Sequence, residues 1–450
     1  MNSETVYICR WNDNGHGISQ DEKTKPIIIP QSIVGETVCI TPPHKSRKGL
    51  TSSITEIPKP STHRIQPQCP HFSECGGCVW QHISYDHQLK IKEEKVRSLF
   101  TPLCSIPISP IINSPSVWHY RNKMEFSFSQ DKSGNTFLGL HYRRSRVTNI
   151  HHCPITPPWM AETLNTVRTW WQTTNLTAYH PRSDSGTLLS LTLREGYTSK
   201  DKMIILTVSG NPNFAPSKHD LDCLVQCLTQ NQGPLSIVLR IRQIAKGRPT
   251  QFYEMILHDP DFIREKLDIA IGSLEFHISP QSFFQPNTQT AMTVYSAALQ
   301  MANLSPDATV LDLYCGIGIF GMFAALKAKK SIGIELNRDA AYDATTNAKR
   351  LGLGNFSILC GDVGEMIANK KLKPSTIIVD PPRAGLQKAI DQINALPAST
   401  LVYVSCNPIS QAQDTAKLLA SDWRVNVIQP IDQFPHTPHV ENIIQFTRTK

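Results

Sequence analysis

Thr309-Val310-Leu311-Asp312-Leu313-Tyr314-Cys315-Gly316-Ile317-Gly318 is the stretch on which the fold turns. Its apolar first half reads as a strand, and it runs into a turn whose two glycines let the backbone pass close beneath a ligand. A helix is predicted from residue 319 to about residue 328. A second strand over 331–334 ends at Glu335, about twenty positions after the turn, where an acid can accept hydrogen bonds from ribose hydroxyls. Gly316, Gly318 and Gly321 lack the helix-side context of a dinucleotide fingerprint, so the turn alone leaves open a plain α/β connection with a solvated glutamate. The full order of strand, glycine turn, helix, strand and acid points instead to a nucleoside cofactor.

The pattern continues outward. Strands are predicted over 357–360, 376–379 and 400–404, alternating with helices, which is the mark of a doubly wound, mostly parallel sheet. Such sheets hold ligands beyond the carboxyl ends of their strands, and Asp362, Asp380 and Cys406 all fall there. Asp362 is as well placed to cap a helix as to touch a cofactor. Asp380 opens Asp380-Pro381-Pro382-Arg383-Ala384-Gly385, in which two prolines stiffen a loop fit to hold an aromatic ring. Cys406, in Ser405-Cys406-Asn407-Pro408, is either a small buried apolar residue or a nucleophile whose thiolate its neighbours stabilise.

With 450 residues, 40% of them hydrophobic, the chain has material for two or three cores. No run nears the roughly 18 apolar residues of a spanning helix, and the first ten residues lack a secretion signal, so a cytoplasmic protein is expected. The formal net charge of +8 suits a polyanionic partner. Twelve cysteines in that compartment argue against a disulfide framework.

Three domains are expected: 1–60, 61–270 and 271–450, with 84–114 packing on the last. The first rests on strands over 5–9, 26–30, 36–40 and 50–57, a small β-barrel with loops at 12–17 and 42–49. The second loop carries Lys45, Arg47 and Lys48, which either meet RNA or are simply solvated. A Pro-rich linker precedes an amphipathic helix over 85–100. Strands over 123–129, 188–194, 203–208 and 236–241 mix with helices over 159–171 and 220–230, an α+β pattern.

Trp118-His119-Tyr120-Arg121-Asn122-Lys123 and His141-Tyr142-Arg143-Arg144-Ser145-Arg146 interleave aromatics with cations. They either stack splayed bases and touch phosphates or are packed aromatics on a solvated strand. Cys69, Cys75 and Cys78, with Cys153 downstream, offer four soft ligands for a cubane iron–sulfur cluster or a structural zinc.

Asp380-Pro381-Pro382-Arg383-Ala384-Gly385, Ser405-Cys406-Asn407-Pro408 and Pro435-His436-Thr437-Pro438-His439-Val440-Glu441 follow one another in one domain. Through these motifs the chain resembles the RNA uracil-5-methyltransferase family over nearly its whole length. The resemblance implies an α/β fold: a Rossmann-like S-adenosylmethionine methyltransferase domain, an α+β central domain and an N-terminal OB-like (TRAM) β-barrel. It implies Cys406 as nucleophile and Glu441 as the base that removes the carbon 5 proton. Gln285 (in Phe283-Phe284-Gln285-Pro286-Asn287), Tyr314, Glu335 and Asp380 would hold S-adenosylmethionine beside Gly316, Gly318 and Asp362.

The chemistry explains these residue types. Carbon 5 of uracil is a poor nucleophile toward a sulfonium methyl, and a thiolate added to carbon 6 makes it enolate-like. A base must then take the carbon 5 proton before the sulfur can leave. Ile319 stands where many relatives carry a polar residue, which implies one cofactor hydrogen bond fewer. His436 and His439, with only Glu441 nearby, are expected to shape their loop rather than bind zinc.

Cys69-Pro70-His71-Phe72-Ser73-Glu74-Cys75-Gly76-Gly77-Cys78 resembles the iron–sulfur members of the family, which implies a [4Fe-4S] cluster on Cys69, Cys75, Cys78 and Cys153. Barrel and cluster together make the likeness closest to members that modify large-subunit ribosomal RNA, with transfer RNA as the alternative. The target base must leave its stack, so an unpaired loop is expected. No membrane and no obligate protein partner is implied. Two other functions stand beside this one. Cytosine-5 methylation also uses a thiolate, but Ser405 rather than proline precedes Cys406. A catalytically silent RNA-binding protein would not need both Cys406 and Glu441.

Overall fold

In the computed structural model, seven strands after residue 308 build one sheet: β1 Thr309–Leu313, β2 Lys330–Glu335, β3 Phe356–Cys360, β4 Thr376–Val379, β5 Thr400–Ser405, β6 Arg424–Ile431 and β7 Glu441–Thr447. The structure describes residues 4–19, 25–46, 49–142, 146–230, 233–244, 247 and 249–448. The order across the sheet is β3-β2-β1-β4-β5-β7-β6. β1 to β5 run parallel, and β7 lies antiparallel between β5 and β6. Thr376-Ile377-Ile378-Val379 is buried throughout, as a strand covered on both faces must be. Strand order reverses between β1 and β4, so a crevice opens above their carboxyl ends, between Tyr314 and Asp380. The expected alternation ends at β5; the β6–β7 pair is an addition that the strand pattern did not announce.

A second seven-stranded sheet lies upstream, in the order Arg146–Asn149, Thr136–Tyr142, Lys123–Gln130, Leu188–Glu195, Lys202–Ser209, Leu235–Gln243 and Gln251–His258. Alternation along these strands sends Phe126, Leu191, Leu206 and Leu239 to one face, under helices Pro158–Gln172 and Lys218–Thr229. Met203, Ile205 and Val238 point the other way and join the core of the crevice-bearing sheet through Leu267, Phe276 and Phe284. The hairpin Ile263–Ile269 and Gly272–Ile278 carries this shared core.

The N-terminal section has a three-stranded sheet, Glu4–Tyr7, Thr37–Ile40 and Ile54–Lys59, beside a sheet of five short strands, around Ile8, Ile27, Ile29, Val38 and Ile40. The single strand expected over 50–57 is two, Gly49–Thr51 and Ile54–Lys59, because Ser52 turns back to donate its hydroxyl to Thr41 O. The loop expected over 42–49 contains a strand, His44–Ser46, paired with Gly49–Thr51. Arg47, Lys48, Arg143, Arg144 and Ser145 lie outside the described residues. Helix Tyr85–Phe100 buries Val96 and Phe100 against the crevice-bearing sheet, and Ile108 and Ile112 bridge to Ile428 and Ile431 of β6. Among the described residues no helix is long and apolar enough to cross a membrane.

Candidate active site

β5 and β7 are in register as far as Ser405 with Asn442. One step further lie Cys406 and Glu441, and Glu441 also faces Ile431 of β6. Glu441 is buried, while Cys406 is half-buried. Asn407 caps helix Pro408–Leu419 and donates its amide to Arg383 O at 2.8 Å; Ser410 Oγ donates to the same carbonyl at 3.0 Å. The loop after β5 is thereby tied to the Asp380 loop, which sets the positive charge of Arg383 near the Cys406 thiol.

Several acids crowd this end of the sheet. Burial holds the Asp380 carboxyl up at about 7 and the Asp312 carboxyl at about 8. Burial, then the charge of Asp380, lifts Glu441 well above the usual carboxylate range, with Arg383 opposing. The Cys406 thiol is pushed up to about 11 by burial and by Glu441 and Asp380, and Arg383 pulls it back. Low dielectric and like charge favour neutral forms in both cases. A thiol, a carboxyl group and a guanidinium gathered at one end of the sheet can act as nucleophile, base and thiolate stabiliser.

The glycine turn holds three left-handed residues, Tyr314 (φ 60°), Gly316 (φ 55°) and Gly318 (φ 81°). Glu335 accepts from Gly316 N at 2.9 Å and from Asn337 N at 2.7 Å, which pins the turn to the end of β2. A side chain at Gly316 would meet open space, whereas one at Gly318 would press on Phe356. Asp362 accepts from Glu365 N as the cap of helix Val363–Asn369, and its charge reaches Tyr314. Gln285 Oε1 accepts from Gln433 Nε2 at 3.3 Å, next to the loop that leads into β7. Ile319 is buried in the apolar core.

Cys69, Cys75, Cys78 and Cys153 stand close enough for their charges to act on one another, and burial raises each thiol. Among the described residues no group of three or more His, Cys, Asp or Glu side chains is arranged to hold a metal ion. His436 packs its ring on Trp118 at 4.2 Å, and burial lowers both His436 and His439 to about 4, so both rings are neutral packing groups. Tyr120 and Asn122, in the first aromatic and cationic stretch, are buried: Tyr120 donates to Pro435 O and Asn122 to Gln285 O.

The fold thus brings Cys406, Glu441 and Asp380 together, with Gly316, Gly318, Glu335 and Tyr314 along the same crevice. Three residues in this site had no role assigned from sequence: Arg383, Gln433 and Tyr295, whose buried ring is close to Asp380 and Glu441. Only Arg383 had a local signal, a cation three places after an acid in a proline-stiffened loop.

Residues 229–449 match the family model described as tRNA (Uracil-5-)-methyltransferase. An uncharacterised RNA methyltransferase of Protochlamydia amoebophila is 44% identical over 440 residues, spanning 93% of this chain and 99% of that protein. One from Caldanaerobacter subterraneus is 33% identical, spanning 97% of both chains. The fold matches the crystal structure of Pyrococcus abyssi tRNA (uracil-54, C5)-methyltransferase in complex with S-adenosyl-L-homocysteine. That likeness has a TM-score of 0.77 at 24% identity and covers 99% of this chain and 100% of the other.

Proposed function

Since this chain belongs to the RNA uracil-5-methyltransferase family, we propose that it methylates carbon 5 of an unpaired uridine, with Cys406 as nucleophile and Glu441 as base. The observation that carries this reading is the β5–β7 register that sets those two residues at adjoining strand ends, with the charge of Arg383 near the thiol.

The Cys406 thiolate adds to carbon 6 of the uracil, and the electron pair of the carbon 5–carbon 6 bond moves toward the carbon 4 oxygen. S-adenosylmethionine, when bound, supplies the electrophilic methyl that carbon 5 takes. The Glu441 carboxylate then removes the carbon 5 proton, and the double bond re-forms as the Cys406 sulfur departs with its electron pair. Arg383 stabilises the thiolate at the beginning and end of this cycle. Gln285, Tyr314, Gly316, Gly318, Glu335, Asp362 and Asp380 hold the cofactor, with Glu335 toward the ribose hydroxyls. The glycine cradle, open at Gly316, fits a group lying against the backbone.

Cys69, Cys75, Cys78 and Cys153 are read as ligands of a [4Fe-4S] cluster, supported by an all-thiol donor set without a carboxylate. The methyl transfer moves no electron, so the group would staple residues 69–78 to Cys153. Residues 1–60 form an RNA-binding barrel and 61–270 the cluster and central RNA-binding section of a cytoplasmic enzyme, ahead of a methyltransferase domain over 271–450.

Ribosomal RNA of the large subunit is the substrate that barrel and cysteine set together favour. Transfer RNA is the second reading, favoured by the family model's description and by the Pyrococcus enzyme's match along the whole chain. Purified protein, labelled S-adenosylmethionine and both RNA classes lacking the modification decide between them. Label in 5-methyluridine of ribosomal RNA supports the first and of transfer RNA the second. Label in cytosine, or in neither RNA, overturns the assignment.

A further inference from the structure

The chain between Asp432 and Glu441 has no regular structure, yet it must deliver the Glu441 carboxyl to a defined point beside Cys406. What holds it comes from 340 to 348 residues upstream in sequence. Tyr85, Gln88 and Lys92 lie on one face of helix Tyr85–Phe100, at the spacing that stacks side chains over successive turns. Gln88 and Lys92 are fully buried.

Gln88 Oε1 accepts from His436 N at 2.8 Å, while its amide nitrogen donates to Trp80 O at 3.1 Å and Ile83 O at 2.8 Å. Lys92 Nζ donates to Asp432 Oδ1 at 2.5 Å and Phe434 O at 3.0 Å. His436 itself is left-handed (φ 65°), a conformation that a non-glycine residue holds only when its surroundings over-determine it. Its carbonyl accepts from both Val79 N and Trp80 N, the two amides directly after Cys78, at 3.0 and 2.9 Å. Burying a lysine and an amide costs desolvation that an apolar pair of the same volume would avoid. What this polar face adds is directional grip on an irregular segment.

We infer that Gln88 and Lys92 are positioning residues that clamp the loop before β7 and so place Glu441 for proton removal, an inference that rests on the proposed role of Glu441. Misplacing a reacting group by about 1 Å can cost ~100-fold in rate. The step that suffers is the last one, so the enzyme stalls after methyl transfer with Cys406 still bonded to RNA.

The test compares wild-type enzyme, Gln88→Leu, Gln88→Glu and Glu441→Gln, reading turnover, KM for RNA, thermal unfolding and the fraction of enzyme held as a methylated covalent RNA adduct on denaturing gels. Gln88→Leu is expected to turn over up to ~100-fold more slowly with KM little changed, and to accumulate the adduct. Gln88→Glu keeps the oxygen facing His436 N and, held protonated in this buried place, donates to one of the Trp80 and Ile83 carbonyls, so it recovers part of the turnover. If Gln88→Leu does not fold, Lys92→Met/Asp432→Asn replaces it with the same expectation. Adduct in Glu441→Gln but in neither clamp variant overturns the clamp, as does lost turnover without adduct. Absence of adduct in Glu441→Gln overturns the role of Glu441 itself.

Discussion

Cys406 and Glu441 stand on neighbouring strand ends, one residue beyond the registered pair Ser405 and Asn442. They are brought together by an antiparallel strand added to an otherwise parallel sheet, which no crossover helix need separate from its neighbour. A slip of one residue would turn Glu441 to the opposite face. Gln411 pins the register: its amide donates to Tyr403 O and Asn442 O, and its own oxygen accepts from Asn442 Nδ2 at 2.8 Å.

Both members of this pair act deprotonated, and burial raises both above their ordinary ranges, the Cys406 thiol to about 11, so activity follows their ionisation. kcat/KM is expected to rise with pH toward about 11, by up to about tenfold per unit where the thiol alone limits. Arg383→Gln removes the cation that pulls the Cys406 thiol down, so its profile lies further to the alkaline side. A pH–rate profile that Arg383→Gln leaves in place contradicts the thiolate-stabilising role.

The two glycines of the turn differ in what surrounds them. An added methyl meets nothing within 4 Å at Gly316 but lies 2.9 Å from Phe356 at Gly318. Gly316→Ala is expected to cost roughly 1–2 kcal/mol of stability from backbone strain, and to weaken cofactor binding because the methyl projects into the crevice. Gly318→Ala adds overpacking of about 1–3 kcal/mol. Thermal unfolding with and without S-adenosylmethionine separates the two; equal losses at both positions contradict the open cradle.

Lys92 and Asp432 form an ion pair with both side chains fully buried. Removing one partner strands a buried charge, so Lys92→Met is expected to lose about 3–5 kcal/mol in denaturant unfolding. Lys92→Met/Asp432→Asn leaves no charge and regains most of that. A double variant as unstable as the single one contradicts the account.

The four thiols are checked by colour and metal content. Anaerobically purified protein is expected to be brown, with a broad visible absorbance that Cys75→Ser abolishes together with bound iron. Colourless protein containing zinc contradicts the cluster.

Much of the crevice was readable from sequence because its residues are local: Gly316 and Gly318 follow β1 directly, Glu335 ends β2, and Asp380 and Cys406 end β4 and β5. Helix Tyr85–Phe100 was equally plain from its periodicity. The β6–β7 pair was not, because its register depends on partners distant in sequence and its strands carry Asn426, Gln429, Pro430, Asn442 and Gln445 among the apolar residues. Lys92 read as a solvated lysine on a charged helix, since its partner Asp432 lies 340 positions away. Tyr120 and Asn122 sat in a stretch that could equally contact RNA or pack, and the fold buries both. Asp362 caps a helix, one of the two roles that its position offered.

The central claim is that one sulfur atom bonds reversibly to the pyrimidine ring. RNA carrying 5-fluorouridine at the modified position blocks proton removal after methylation, because fluorine cannot leave as a proton does. Wild-type enzyme is therefore expected to become covalently joined to that RNA in the presence of S-adenosylmethionine, with the bond mapping to Cys406 and absent from Cys406→Ala. No crosslink in the wild type, or one that maps to another residue, contradicts the mechanism.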